Sequence, residues 1–292
     1  MPTRRILTFA TTAILAFVCE LSSGFCSLPA VAQDRDPIGE MRRARDLLGK
    51  HATISAQLVE TVVMFDRSVK MDGRYLQTAD HRLRFEVKLR VGGTVGSLVE
   101  VCDGEILWSR QDIGKEQQVT RRNVKQILEA AQKAGNIPQN VLAADLGLGG
   151  LPSLLATIEQ SFDFDGLKDD TLRDRPVVII QGQWNAAMAA NLRGQLPEGQ
   201  LPPYVPDIIR ITLDRETGFP HRIMYLKKVP ERDTLRPLLT LDFLDVKLGE
   251  PIDPSEFTFV VPERIQPVEL TERYLQKIQQ PPAAPPTPPA GS

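Results

Sequence analysis

The chain is poor in sulfur and in imidazole. Its 292 residues include three cysteines and three histidines. Cys19 and Cys26 fall in an apolar leader, which leaves Cys102 alone in the rest of the chain. One thiol cannot form an internal disulfide, so stability must come from a packed core, which a chain of this length can build without staples. His51, His81 and His221 have no metal-like spacing to one another or to Cys102, so no zinc site is expected. His51 ends the first predicted helix, where an imidazolium suits the helix dipole, while His81 and His221 open strands and are expected in solvent. An excess of one charge is also missing. Lys and Arg number 35 against 37 Asp and Glu, a formal net charge of -2 with no long block of one sign, which removes the electrostatic footprint of nucleic-acid binding.

Several catalytic signatures are absent as well. There is no Gly-x-Ser-x-Gly elbow and no phosphate-binding loop, so nucleophilic hydrolysis and nucleotide binding lack their usual geometry. Gly147-Leu148-Gly149-Gly150 begins like a dinucleotide fingerprint, but Pro152 stands where the third glycine belongs, and the stretch reads as a loop. Asp163-Phe164-Asp165-Gly166 lacks the bidentate acid and ligand spacing of a calcium loop and reads as a strand-ending turn. Cys102 adjoins Asp103-Gly104 with no base nearby to lower its pKa, so it reads as a structural thiol. No metal, cofactor or catalytic residue is predicted, and nothing selects one pair of carboxylates for acid–base work.

What is present begins with a secretory layout. Arg4 and Arg5 precede an apolar run from Ile6 to Cys19, and small residues end in Ala30-Val31-Ala32. Residues 1–32 are therefore expected to be a cleaved signal peptide, with Gln33 first in a mature chain of about 260 residues. A spanning helix needs roughly 20 apolar residues, and Glu20 interrupts this run first. Phe25 before Cys26 and Val18 before Cys19 do not suit lipidation.

Asp36-Pro37 reads as an N-cap with proline at the first helical position, and Ile38, Met41, Ala44 and Leu48 recur at helical spacing up to about Lys50. From Thr53 the period becomes two, with strands predicted near 56–65, 67–77, 82–91, 97–102 and 106–110. In Arg82–Val91 every odd position is apolar and every even one charged, the pattern of an antiparallel sheet with one face in water. Asp72-Gly73 and Asp103-Gly104 are expected to supply the positive φ of tight hairpin turns. Two helices follow, one marked by Val124, Ile127, Leu128 and Ala131, the other within Leu151–Ser161 behind Pro152. Strands are predicted again at 162–166, 176–184, 208–214, 221–228 and 238–248. Residues 135–150 read as loop and 185–206 as a surface excursion. The apolar phase slips between Phe243 and Leu244, which predicts a bulge. Residues 281–292 are proline-rich and read as an extended, disordered tail.

Three stretches, in order, resemble the family of the periplasmic outer-membrane lipoprotein carrier, LolA. They are Gly73 through Phe85; Asp103-Gly104-Glu105-Ile106-Leu107-Trp108 followed by Gln117-Gln118-Val119-Thr120; and Pro251 through Pro262 with its Phe257-Thr258-Phe259 core. The resemblance implies an α+β fold: a strongly curved antiparallel sheet, an unclosed β-barrel, with helices covering an apolar concave face. The family's domain would occupy residues 33–265, with residues 266–292 as a C-terminal helix and tail. Two departures stand out. Ala79-Asp80 occupies the place of an Arg-Pro pair whose arginine handles acyl chains in the family, and Arg84, the nearest substitute, lies on its strand's charged face. Extra length is carried at 135–150 and 185–206.

Leu83, Phe85, Val87 and Leu89, then Ile209, Ile211 and Leu213, then Leu239, Leu241 and Phe243 are expected on the concave side, with Trp108 lining it or packed in the core. These positions make either a dry core under the helices or a cavity for acyl chains. The resemblance implies a non-enzymatic, monomeric, periplasmic or otherwise exported carrier, its partners being lipid or lipoprotein acyl chains and membrane-protein donors or acceptors. The alternative is an envelope sensor or scaffold that binds a partner protein through a sheet edge or the proline-rich tail.

Overall fold

Alternating apolar and polar residues carry most of the chain into strands. The structure, a computed structural model, describes residues 35–64, 67–91, 94–135, 150–194, 201–229 and 234–279. The predicted leader, most of the 135–150 loop and the proline-rich tail lie outside these residues. Twelve strands are present: β1 (Thr53–Met64), β2 (Arg67–Thr78), β3 (Arg82–Val91), β4 (Thr94–Asp103), β5 (Ile106–Ile113), β6 (Glu116–Asn123), β7 (Phe162–Leu172), β8 (Arg175–Trp184), β9 (Ile208–Asp214), β10 (Pro220–Val229), β11 (Thr234–Leu248) and β12 (Val268–Glu269). The helices are α1 (Pro37–Leu48), α2 (Val124–Ala134), α3 (Gly150–Ser161), α4 (Ala186–Gly194) and α5 (Thr271–Gln279).

All twelve strands share one sheet, ordered β12-β6-β5-β4-β3-β2-β1-β11-β10-β9-β8-β7. Two meanders, β1 to β6 and β7 to β11, are joined by the antiparallel pairing of β1 with β11. Only β12 lies parallel to its neighbour, β6. The sheet is curved and unclosed, with β7 and β12 at its ends, as the sequence implied.

One cluster of buried side chains covers the inner face from β5 round to β7. Helices close over it because each offers one apolar stripe. On α1, capped by the Asp36 carboxylate at the Ile38 and Gly39 amides, that stripe is Met41, Ala44 and Leu48. On α2 it is Val124, Ile127 and Ala131, with Asn123 as cap and Gly135 left-handed at the end. On α3 it is Leu151, Leu155 and Ile158. Gly218, at φ +70 in the β9–β10 turn, sits so close to α1 that a Cβ there would lie 2.8 Å from Ala44 Cα.

The structure corrects several expectations. Asp72-Gly73 is not a turn, because β2 runs straight through it with Gly73 opposite Leu58 on one side and Val87 on the other. A Cβ there would overlap the Glu86 carbonyl oxygen, so glycine serves a close backbone approach. Gly104, at φ +100, does turn the β4–β5 hairpin. Asp163–Gly166 is likewise interior to β7, where the register shifts between Phe164 and Gly166. The β11 bulge falls just past the predicted place: Ser55 pairs with Lys247 and Gln57 with Leu244, and Asp245 takes φ 47.

His221 is buried at 6% exposure beside Asp214, not in solvent. The charged face of β3 is half covered, since Arg84 donates to the Glu256 carbonyl at 2.7 Å and Arg74 pairs with Glu86 and Glu256 at 3.0 Å each. The 185–206 excursion contains α4, capped where the Asn185 side chain accepts from the Met188 amide. Residues 266–279, set apart in the sequence reading, add β12 to the sheet edge and α5 to the core through Ile278.

Candidate functional site

Between the inner face of the sheet and α3 lies a cavity of about 1060 Å³. Its floor is built in phase. Leu58, Glu60 and Val62 alternate along β1; directly across the pairing, Phe243 faces Leu58, Leu241 faces Glu60 and Leu239 faces Val62 on β11. Tyr75 from β2, Leu83 and Phe85 from β3, Glu100 from β4 and Tyr225 from β10 continue the same face.

The roof is α3. Leu155 and Ile158 point into the core, while Leu151, Ser153, Leu154, Thr157 and Gln160 line the cavity. The first turn of α3 is fixed from the sheet, because the Leu151 amide donates to the Tyr75 hydroxyl at 3.0 Å and Tyr75 in turn donates to Gln77 Oε1. Burial pushes the Tyr75 phenol up, so it stays protonated and keeps both roles. The far side of α3 is held to α1 by Glu159, which pairs with Arg42 at 2.8 Å and Arg45 at 2.6 Å. Trp184 stacks on Phe162 at 4.0 Å and donates to the Pro206 carbonyl at 2.7 Å, which anchors a loop carrying Tyr204, 66% exposed at the cavity.

Of the residues singled out from the sequence, Leu83, Phe85, Leu239, Leu241 and Phe243 come together in this lining. Val87, Ile209, Ile211 and Leu213 are buried in the core beside it, and Leu89 is half-buried, pairing with Met71 and Gly96. Trp108 is on the opposite face. The β4–β5 pairing sets Leu107 against Cys102 in the core, so the next residue must point outward, where Trp108 stacks on Phe259 at 5.3 Å. Cys102 is buried with its thiol pushed up to about 11 by burial, which leaves it unreactive.

Sequence reasoning missed the two carboxylates in the cavity, and a phase signal was there to find one of them. Glu60 is in step with Ile54, Ala56, Leu58 and Val62, so it shares their inward face. Burial raises the Glu60 carboxyl, and among the described residues it has no hydrogen-bond or ion-pair partner. Glu100, opposite Phe85 and Ser109, is also raised by burial, with Arg122 at 3.9 Å and a Ser109 hydrogen bond opposing the shift. No lysine, arginine, histidine or cysteine is among the described lining residues, and the described residues hold no group of three metal-ligating side chains.

This geometry defines a class: an open, curved antiparallel sheet that holds an apolar cavity under a helix. No family model and no curated protein matches the chain. Among solved structures it is similar to MucB in the Pseudomonas aeruginosa MucA/MucB complex, at 13% identity and TM-score 0.36 over 77% of this chain and 62% of that one. It is similar to the Mycobacterium tuberculosis lipoprotein LppX at 10% identity and TM-score 0.36, over 74% and 97% of the two chains. A LolA superfamily protein from Nitrosomonas europaea matches at 10% identity and TM-score 0.28, over 77% and 98%. The chain spans 60 to 65% of the length of the MucB structures it matches.

Proposed function

We propose that the chain is an exported, non-catalytic carrier that shields the acyl chains of a lipid or lipoprotein between its sheet and α3. The observation that supports this reading is the cavity itself. Its volume of about 1060 Å³ lies just above the roughly 300 to 1,000 Å³ range typical of small-molecule pockets, and its walls are predominantly leucine, valine and aromatic carbon. A filled core of the same sequence would have no such space. Each methylene that leaves water for these walls gains about 0.8 kcal/mol, before the cost of immobilising the ligand. Among the described lining residues the two carboxylates stand apart. Glu100 stands level with Ala56 across the strands, so Glu60 is four residues further along β1 and three strands away.

Native mass spectrometry of protein purified from the organism's own envelope, before and after gentle delipidation, tests this. An adduct of lipid mass that is lost on delipidation and regained when lipid is offered is the expected result. A bare polypeptide mass that offered lipid leaves unchanged would overturn the carrier reading and favour binding of a partner protein. The same spectrum tests export, since cleavage after Ala32 removes the first 32 residues from the mass.

A further inference from the structure

We infer that the cargo of this cavity carries a cationic, hydrogen-bond-donating end, an amine on or near its acyl chain, and that Glu60 is the residue that receives it. The inference rests on the carrier reading and extends it to the chemistry of the ligand's polar end.

Glu60 is half-buried on an apolar stretch of the inner face. Its strand neighbours on the inner face are Leu58 and Val62, and Leu241 and Met71 lie directly across from it on β11 and β2. An acid in such a setting loses hydration and, without a donor, finds no replacement for it. No described residue supplies one. Glu100 differs in this respect, because Arg122 and Ser109 answer its charge from within the protein. Two acidic side chains and no basic one therefore line the cavity among the described residues, and the unanswered charge is that of Glu60. An anionic ligand end, whether carboxylate or phosphate, would add like charge beside Glu60. An ammonium would supply both the missing charge and the missing donors. Ser153, Thr157 and Gln160 on α3 are the other polar side chains of the lining.

The test compares three probes of one chain length, dodecylammonium, dodecanoate and dodecanol, each titrated below its aggregation threshold into the delipidated full chain and into Glu60→Gln. For the wild type, dodecylammonium is expected to bind more tightly than dodecanoate by about tenfold or more, the scale of one charge-assisted hydrogen bond. In Glu60→Gln that ratio should collapse toward unity while dodecanol still binds, which also shows that the variant is folded with its cavity intact. Equal wild-type affinity for the amine and the acid, or a ratio that Glu60→Gln leaves unchanged, would overturn the inference and leave the carrier reading standing. If none of the three binds, both fall together.

Discussion

At the scale of single residues, the buried polar groups are where the sequence was least informative. Alternation shows which face a residue takes, but it does not show whether a polar residue in the inward phase finds a partner. Glu60 finds none among the described residues, whereas His221 does. Its Nε2 lies 3.3 Å from Asp214 Oδ2, against the Phe219 ring at 5.3 Å. Burial lowers the His221 pKa below 6.5, helped by Arg175 and Arg173 and opposed by Asp214. For Asp214, burial raises the pKa, but the Thr217 and Glu216 amides and His221 outweigh it and hold the carboxyl below 3.8.

The signs fix the pH response. A histidine kept neutral by the fold is protonated more readily in the unfolded chain, so its contribution to stability is present above pH 6.5 and is lost as the pH falls below that value through the folded pKa. The Asp214 contribution is lost only below 3.8. Urea midpoints should therefore fall between about pH 7.5 and pH 5 in the wild type and fall less in His221→Gln, which cannot titrate. Equal losses in the two proteins would show that His221 does not carry the dependence.

At the scale of elements, α3 depends on one hydroxyl from the sheet. Tyr75→Phe keeps the ring against Phe243 at 6.2 Å but removes the acceptor of the Leu151 amide. Leaving that buried donor unpaired should cost about 1 to 3 kcal/mol. Hydrogen exchange should quicken across residues 150–161 well beyond any change in β1 or β11, and unchanged exchange in α3 would mean that its packing alone holds it. The helix itself was legible, since Pro152 and the spacing of Leu151, Leu155 and Ile158 mark it. So were α1, α2 and the strands whose two faces differ in polarity, with β3 the clearest. Elements without that contrast were not legible. Strand β6, Glu-Gln-Gln-Val-Thr-Arg-Arg-Asn, buries only Val119 and owes its conformation to β5 beside it. Helix α4 buries nothing, so no stripe announces it. Trp108 was misplaced for a related reason: both faces of β5 are covered, one by the core and one by Phe259, so a large aromatic fits either side.

At the scale of the whole molecule, the two meanders are distinct in sequence but share one interior. The joining pair sets residues 54–62 against residues 239–248, and a single cluster draws on β1 to β5 and on β7 to β11. Neither half can bury its inner face alone, because α1 covers strands of the second meander while β11 completes the first. Unfolding should then be one cooperative event. The chain's two tryptophans make this measurable, since Trp108 belongs to the first meander on β5 and Trp184 ends β8 in the second. Urea curves followed by fluorescence in Trp108→Phe and in Trp184→Phe each report one half, and the two should superimpose once corrected for the small stability change of each substitution. Trp184 also lines the cavity and Trp108 does not, so an acyl ligand should shift the emission of the protein that keeps only Trp184 and leave the other unchanged. Two separated transitions would divide the sheet at the β1–β11 seam into independent domains, and the cavity, which spans that seam from Leu83 to Tyr225, would then be a site between domains instead of one within a single fold.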